Sequence, residues 1–172
     1  GIRLILDSLP ELLSLTNAQS MFLGSGSSQY ESEIHGWTAG AGDRVASFIG
    51  FNGDLTRQIY AGSDLFLIAS SFEPCGLSQL MAMRYGSLPI ARATGGLADT
   101  INNRINPDWT GYLFGPYDKG AMLGAIGRAM IDFPNSGLWT EAVVRAMRQD
   151  FSWGRSAARY EEVFNWALEV RG

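Results

Sequence analysis

The chain predicts a doubly wound α/β fold, with parallel strands and helices on both faces. Two patterns carry that expectation. Apolar residues at helical spacing alternate with short apolar runs of strand length, and the alternation repeats four times over residues 2–91. Parallel strands joined by right-handed crossovers satisfy such an order. In addition, Phe51, Glu73 and Thr94 each fall just past the end of an expected strand. Ligands bind beyond the carboxyl ends of strands in this architecture.

Ile2 to Leu15 reads as a helix, with Ile2, Ile5, Leu6, Leu9, Leu12 and Leu13 on one stripe. Pro10 lies inside it and is expected to kink or shorten it. Met21-Phe22-Leu23 is a short buried strand, closed by Gly24-Ser25-Gly26. That turn either cradles a phosphate or simply ends the strand; a lone G-x-G does not decide. Tyr30 to Thr38 is a helix carrying the single histidine, His35, which nothing nearby marks as a ligand. Arg44 to Gly50 is a strand, and the turn Phe51-Asn52-Gly53-Asp54 ends on a residue suited to cap a helix running to Ala61. Asp64 to Ala69 is the next strand. Leu88 to Ala91 is another, after a helix through Leu77, Leu80 and Met81. Trp109 to Phe114 is a loop entering a short strand. Lys119 to Ile131 and Leu138 to Arg148 are helices separated by Pro134-Asn135-Ser136-Gly137. Trp153 to Val170 is a last helix, and the aromatics of Phe151-Ser152-Trp153 read as packing residues.

The composition narrows the function classes. With 46% apolar residues over 172 positions, the chain can build one sizeable core. A net charge of −4 and the lack of a Lys/Arg cluster argue against a nucleic-acid or anionic-membrane surface. One cysteine permits no internal disulfide framework. No apolar run is long enough to span a bilayer, and no metal-ligand spacing is present.

The most informative stretch is Ser70 to Leu80. A strand ends, a short loop turns at Pro74, and Gly76 leaves the backbone bare where the next helix is expected to start. The free N–H groups near Gly76, Leu77 and Ser78 favour an anion. Glu73 sits three residues before Gly76. An anion site beside an acidic acceptor suits a sugar attached to a phosphate; spacing alone equally allows a solvated loop acid and an ordinary turn. Cys75 could be read as a nucleophile, since a helix N-terminus lowers a thiol pKa, but no histidine lies near it in sequence.

The string Glu73 to Leu77 (EPCGL), with Gln79-Leu80, Ala82 to Gly86, Leu88-Pro89-Ile90 and Thr94 to Thr100, closely resembles the starch and bacterial glycogen synthases. The likeness extends in weaker form over most of the chain. Those enzymes are retaining glycosyltransferases of the GT-B type, with two facing Rossmann-like domains. The resemblance implies that Glu73 is the catalytic candidate and hydrogen-bonds the glucose. It also implies that the backbone at Cys75 and Gly76 touches the sugar, and that Leu77 and Ser78 reach phosphate or ribose. Thr94-Gly95-Gly96 matches a loop beside the diphosphate. Phe51, after Ile49-Gly50, matches an aromatic that stacks on the base, usually a Tyr; a Phe keeps the stacking face. Met81 stands where many retaining transferases carry a second Glu, a position the starch and glycogen synthases also usually lack.

Read this way, residues 1–172 are most of a C-terminal nucleotide-sugar-binding domain. Gly1 matches the Gly of a Lys-Gly pair, so the first strand, its Arg and Lys, and the N-terminal acceptor domain are expected outside the sequence. The parent would move glucose from ADP-glucose, or from UDP-glucose, to the non-reducing end of an α-1,4-glucan with retention. Its partners would be a nucleotide sugar, an α-glucan and the N-terminal domain, with no metal or cofactor, in a bacterial cytoplasm or plastid stroma. The rival readings are a non-catalytic module binding nucleotide sugar or glucan, and another retaining transferase on the same scaffold.

Overall fold

The computed structural model describes residues 1–171. Helices α1 (Ile2–Leu15), α2 (Ser28–Gly40), α3 (Gly53–Gly62) and α4 (Ser78–Tyr85) alternate with strands β1 (Ser20–Gly24), β2 (Val45–Ile49), β3 (Leu65–Ile68) and β4 (Leu88–Arg92). A short helix α5 (Gly95–Thr100), strand β5 (Tyr112–Phe114) and helices α6 (Lys119–Asp132), α7 (Ser136–Met147) and α8 (Trp153–Arg171) follow. The expected α/β alternation is present, and every named strand pair is parallel.

Among the described residues the strands form two sheets: β1 pairs with β2, and the other sheet runs β3-β4-β5. In the larger sheet Leu65 opposes Leu88 and Ile90 opposes Tyr112. The middle strand β4 is an unbroken apolar run, Leu88-Pro89-Ile90-Ala91, buried on both faces as parallel strands require. One face carries Leu88, Ile90, Tyr112 and Phe114 against Met83 of α4, Met122 and Ala125 of α6, and Ala142 and Ala146 of α7. Ile68, Ala91, Leu97 and Ile101 form a smaller cluster. By contrast, Met21, Phe48 and Ile49 on the two-stranded sheet are each more than a third exposed.

Several local expectations change. Pro10 lies inside α1, yet the helix runs its full 14 residues; Leu6 and Leu9, at 1% and 2% exposure, hold it down on the core. Asn52, rather than Asp54, caps α3: its Oδ1 accepts from the Leu55 N–H at 3.0 Å, while Asp54 pairs with Arg57 within the helix. Helix α5 is an element that the sequence pattern does not show, because six residues are too few to reveal a period. The expected packing of Phe151 and Trp153 is absent among the described residues. Trp153 is 82% exposed, and Tyr160, Phe164 and Trp166 of α8 are exposed as well.

One part-buried polar cluster ties β5 to α6. Asp132, at the end of α6, accepts two bonds from the Arg104 guanidinium (2.6 and 3.1 Å) and one from the Tyr112 hydroxyl (3.0 Å). Tyr112 is fully buried. Burial, then the bond to Asp132, pushes its phenol pKa upward.

Candidate functional site

Two loops leave adjacent strands of the larger sheet at their carboxyl ends. Residues 69–77 link β3 to α4, and residues 93–94 link β4 to α5. Both loops turn on glycines in the left-handed region, Gly76 at φ +73° and Gly95 at φ +43°. They lie against each other with no room for a side chain between. A Cβ on Gly95 would sit 2.1 Å from the Glu73 carbonyl oxygen, and one on Gly96 would sit 1.8 Å from that of Cys75. The Gly96 N–H donates to the Glu73 carbonyl at 3.0 Å. Thus Glu73, Cys75, Gly76, Gly95 and Gly96, all candidates from sequence, meet in one place.

The donor inventory differs from the sequence expectation. Helix α4 starts at Ser78, two residues later than Gly76, with Leu77 at its N-cap and no side-chain cap bond. Its first N–H groups therefore face the loop without protein acceptors. In the second loop the Thr94 N–H is spent on the Arg92 carbonyl at 2.9 Å and the Gly96 N–H on Glu73. Among the described residues, only the Gly95 N–H of those three remains unpaired. Closing the two loops onto each other uses the Gly96 N–H, a donor that the sequence leaves free.

Glu73 is half-buried, while Phe72 and Leu77 are 71% and 62% exposed, so the site is an open surface. Cys75 is exposed, and among the described residues its thiol makes one hydrogen bond, a weak one of 3.8 Å to the Gly76 carbonyl. His35 is exposed on α2, and nothing in the structure couples it to Cys75. Phe51 follows β2 in the two-stranded sheet and belongs to neither of the two contacting loops; 92% of its surface is exposed. Gly24-Ser25-Gly26 follows β1 in that same sheet, and the Gly26 N–H, two residues before α2, is spent on the Glu31 carboxylate of that helix at 2.8 Å. Among the described residues no three His, Cys, Asp or Glu side chains gather to hold a metal ion. No helix there is long and apolar enough to cross a membrane.

Two further residues at the site have no role assigned from the sequence: Arg92, outside the quoted motif, and Gln79, within it. Arg92 ends β4, and its guanidinium donates to the carbonyls of Ser71 and Gly115 while lying 5.5 Å over the Tyr117 ring. It brings a cation beside the Glu73 loop. An arginine closing an otherwise apolar strand is the available signal. Gln79 is 0% exposed on the first turn of α4, beneath both loops. Apolar spacing gives no signal for it: the stripe read through Leu77, Leu80 and Met81 leaves Leu77 and Met81 exposed, and the buried face is Gln79, Ala82 and Met83.

The sequence matches the family described as glycosyl transferases group 1 over residues 1–132. It is 41% identical over 171 residues to a glycogen synthase of Thermodesulfovibrio yellowstonii, covering 99% of this chain and 33% of that protein. It is 44% identical over 166 residues to glycogen synthase 1 of Synechocystis, covering 95% and 35%. The catalytic domain of starch synthase IV from Arabidopsis thaliana, solved bound to ADP and acarbose, superposes with a TM-score of 0.84 at 36% identity, over 98% of this chain and 36% of that one. Sucrose-phosphate synthase from Thermosynechococcus elongatus shares the fold, with a TM-score of 0.69 at 24% identity over 99% and 43%. The chain spans about a third of the length of the curated relatives it matches.

Proposed function

The chain belongs to the group 1 glycosyl transferases, and on that premise we propose that it forms the donor-binding part of a retaining starch or glycogen synthase. The donor is ADP-glucose, with UDP-glucose as the alternative. The acceptor is the non-reducing end of an α-1,4-glucan. The observation that carries the reading is the meeting of the Glu73 loop with the Gly95-Gly96 turn at the carboxyl ends of β3 and β4. It is supported by relatives named glycogen synthase and by a structural neighbour solved with ADP and acarbose bound.

In the reaction the bond between glucose C1 and the diphosphate oxygen breaks. The electron pair leaves with ADP. The acceptor hydroxyl forms the new C1–O bond and gives its proton to an oxygen of the departing diphosphate. Charge grows on the diphosphate, so fixed donors aimed at it lower the barrier most. The N–H groups at Gly76, Leu77 and the start of α4 supply such donors, with Gly95 beside them and Arg92 as the neighbouring cation. Glu73 accepts from glucose hydroxyls, the Cys75 and Gly76 backbone lies along the sugar, and Ser78 lies on the phosphate or ribose side. Phe51 offers its exposed face to the base. Thr94 shapes the second loop.

The remaining parts of the parent, an acceptor domain and a further strand with its Arg and Lys, complete the active site in this reading, and the compartment is a bacterial cytoplasm or plastid stroma. No metal or cofactor is required. Titrating the chain with ADP and ADP-glucose by calorimetry or NMR tests the donor site. Saturable binding that shifts the Gly76, Leu77 and Gly95 amides is expected. No binding at millimolar ligand would sink the reading.

A further inference from the structure

The structure assigns to Gln79 the role of a positioning residue, one that aims the Gly76 and Leu77 N–H groups outward at the donor's phosphates without touching the donor itself. The inference rests on the donor-site reading above. Gln79 is fully buried, and its side-chain amide lies against the inner face of the loop. Its Nε2 is 3.3 Å from the Cys75 carbonyl oxygen, 3.0 Å from that of Gly76 and 3.2 Å from the Thr100 hydroxyl. Thr100 in turn donates to the Gly96 carbonyl at 2.5 Å. One amide therefore holds the first loop and, through Thr100, the second.

The consequence follows from peptide geometry. In a trans peptide the C=O and the following N–H point in opposite directions. Pulling the Cys75 and Gly76 carbonyls inward onto Gln79 turns the Gly76 and Leu77 N–H groups outward. Gly76, in the left-handed region, is the residue that lets the chain make this turn. A purely packing residue would not need an amide here, and this amide is placed at a cost. Its Oε1 is buried with no hydrogen-bond partner among the described residues, and an unpaired buried acceptor is destabilising. An apolar side chain of the same length would avoid that cost and would also lose the hold on both carbonyls.

The test compares ADP with adenosine on the 172-residue chain, followed by NMR, for wild type, Gln79→Met and Thr100→Val. Adenosine carries the base and ribose without the phosphates. Gln79→Met is expected to lower ADP affinity about tenfold, the value of one hydrogen bond to a charged group, and to leave adenosine affinity within about twofold. Thr100→Val should move affinities in the same sense by a smaller factor, and it decides the matter if Gln79→Met does not fold. Unchanged ADP affinity in a folded variant overturns the inference, and so does an equal loss for both ligands, which would mark general damage. If wild type itself binds no ADP, the donor-site reading fails first and this inference falls with it; the wild-type titration therefore separates the two failures.

Discussion

The backbone N–H of Gly96 donates to the carbonyl of Glu73 at 3.0 Å, which makes the loops after β3 and β4 a single unit. The packing at that contact is backbone on backbone. A Cβ on Gly96 would meet the Cys75 oxygen at 1.8 Å, and no flexible side chain is there to yield. Gly96→Ala should therefore push the loops apart, lower stability by about 1–3 kcal/mol as other overpacked positions do, and abolish detectable ADP binding. Thermal unfolding and an ADP titration on the variant check this; a wild-type melting curve with intact binding would show that the loops are not coupled.

Glu73 makes no hydrogen bond or ion pair through its carboxylate among the described residues and is only half-buried. Removing it should cost little stability. In the full-length parent, Glu73→Ala is expected to cut turnover by roughly two to three orders of magnitude, as loss of a transition-state contact does, with an unchanged melting temperature. Near-normal kcat would return Glu73 to the status of an ordinary loop acid.

Phe51 contributes almost nothing to the core, being 92% exposed. If it stacks on the base, Phe51→Ala should weaken ADP binding by about 1–2 kcal/mol and leave the melting temperature where it was. Phe51→Tyr should restore the affinity. An ADP dissociation constant that does not move in Phe51→Ala would remove the residue from the site.

Much of the fold and of the candidate site is legible in the amino-acid sequence, for reasons that particular residues make plain. Ile2 to Leu15 shows a full apolar stripe, and Leu88 to Ala91 is an apolar run of strand length, so period and length identify both elements. Phe51, Glu73 and Thr94 stand out because loops past strand ends bind ligands in this architecture, and the resemblance adds Cys75, Gly76, Gly95 and Gly96. Hydrogen-bond partners chosen by three-dimensional closure are not legible. Nothing in the string Thr94-Gly95-Gly96 reveals that Gly96 spends its N–H on Glu73. Likewise the choice of Asn52 over Asp54 as the cap depends on where the first helical turn begins, and helix ends are the feature that a sequence defines least sharply. The separation of β1-β2 from β3-β4-β5 is a matter of pairing, and apolar runs do not name their neighbours.

Tyr112 gives a pH prediction. Its hydroxyl donates to Asp132, and burial raises its pKa above the ordinary tyrosine value. A raised folded-state pKa means the folded form holds the proton more tightly than the unfolded form. The associated stability is fully present below the unfolded pKa of about 10 and is lost as pH rises beyond it. Wild type should therefore lose stability steadily above about pH 10. Tyr112→Phe should be less stable at neutral pH by about 1–2 kcal/mol, since Asp132 loses a partner, and should show a shallower alkaline decline. Denaturant melts at neutral and alkaline pH decide it; parallel declines in the two proteins would refute the assignment to Tyr112.

The last expectation is that the 172-residue chain, by itself, does not transfer glucose. Transfer to a glucan hydroxyl competes with transfer to water, so a transferase must enclose its donor. Here the donor loops lie on an open surface, with Phe72 at 71%, Leu77 at 62% and Phe51 at 92% exposure. The charge that develops on the leaving diphosphate needs fixed donors and cations. In the proposed donor site the loop N–H groups and Arg92 would provide part of that set, and the proposed parent strand with its Arg and Lys the rest. The sheets point the same way: among the described residues β1 and β3 each pair on one side, and an unpaired strand edge invites association or fraying. Adding the proposed strand should therefore improve solubility and ADP affinity without giving turnover. Turnover should appear only when the acceptor domain is joined as well. Glucose incorporation from ADP-glucose into glycogen is the assay, run on the chain, on the strand-extended chain and on the full-length parent. Robust incorporation by the 172-residue chain, free of contaminating synthase, would falsify the assignment of this chain to the donor half of a two-domain enzyme.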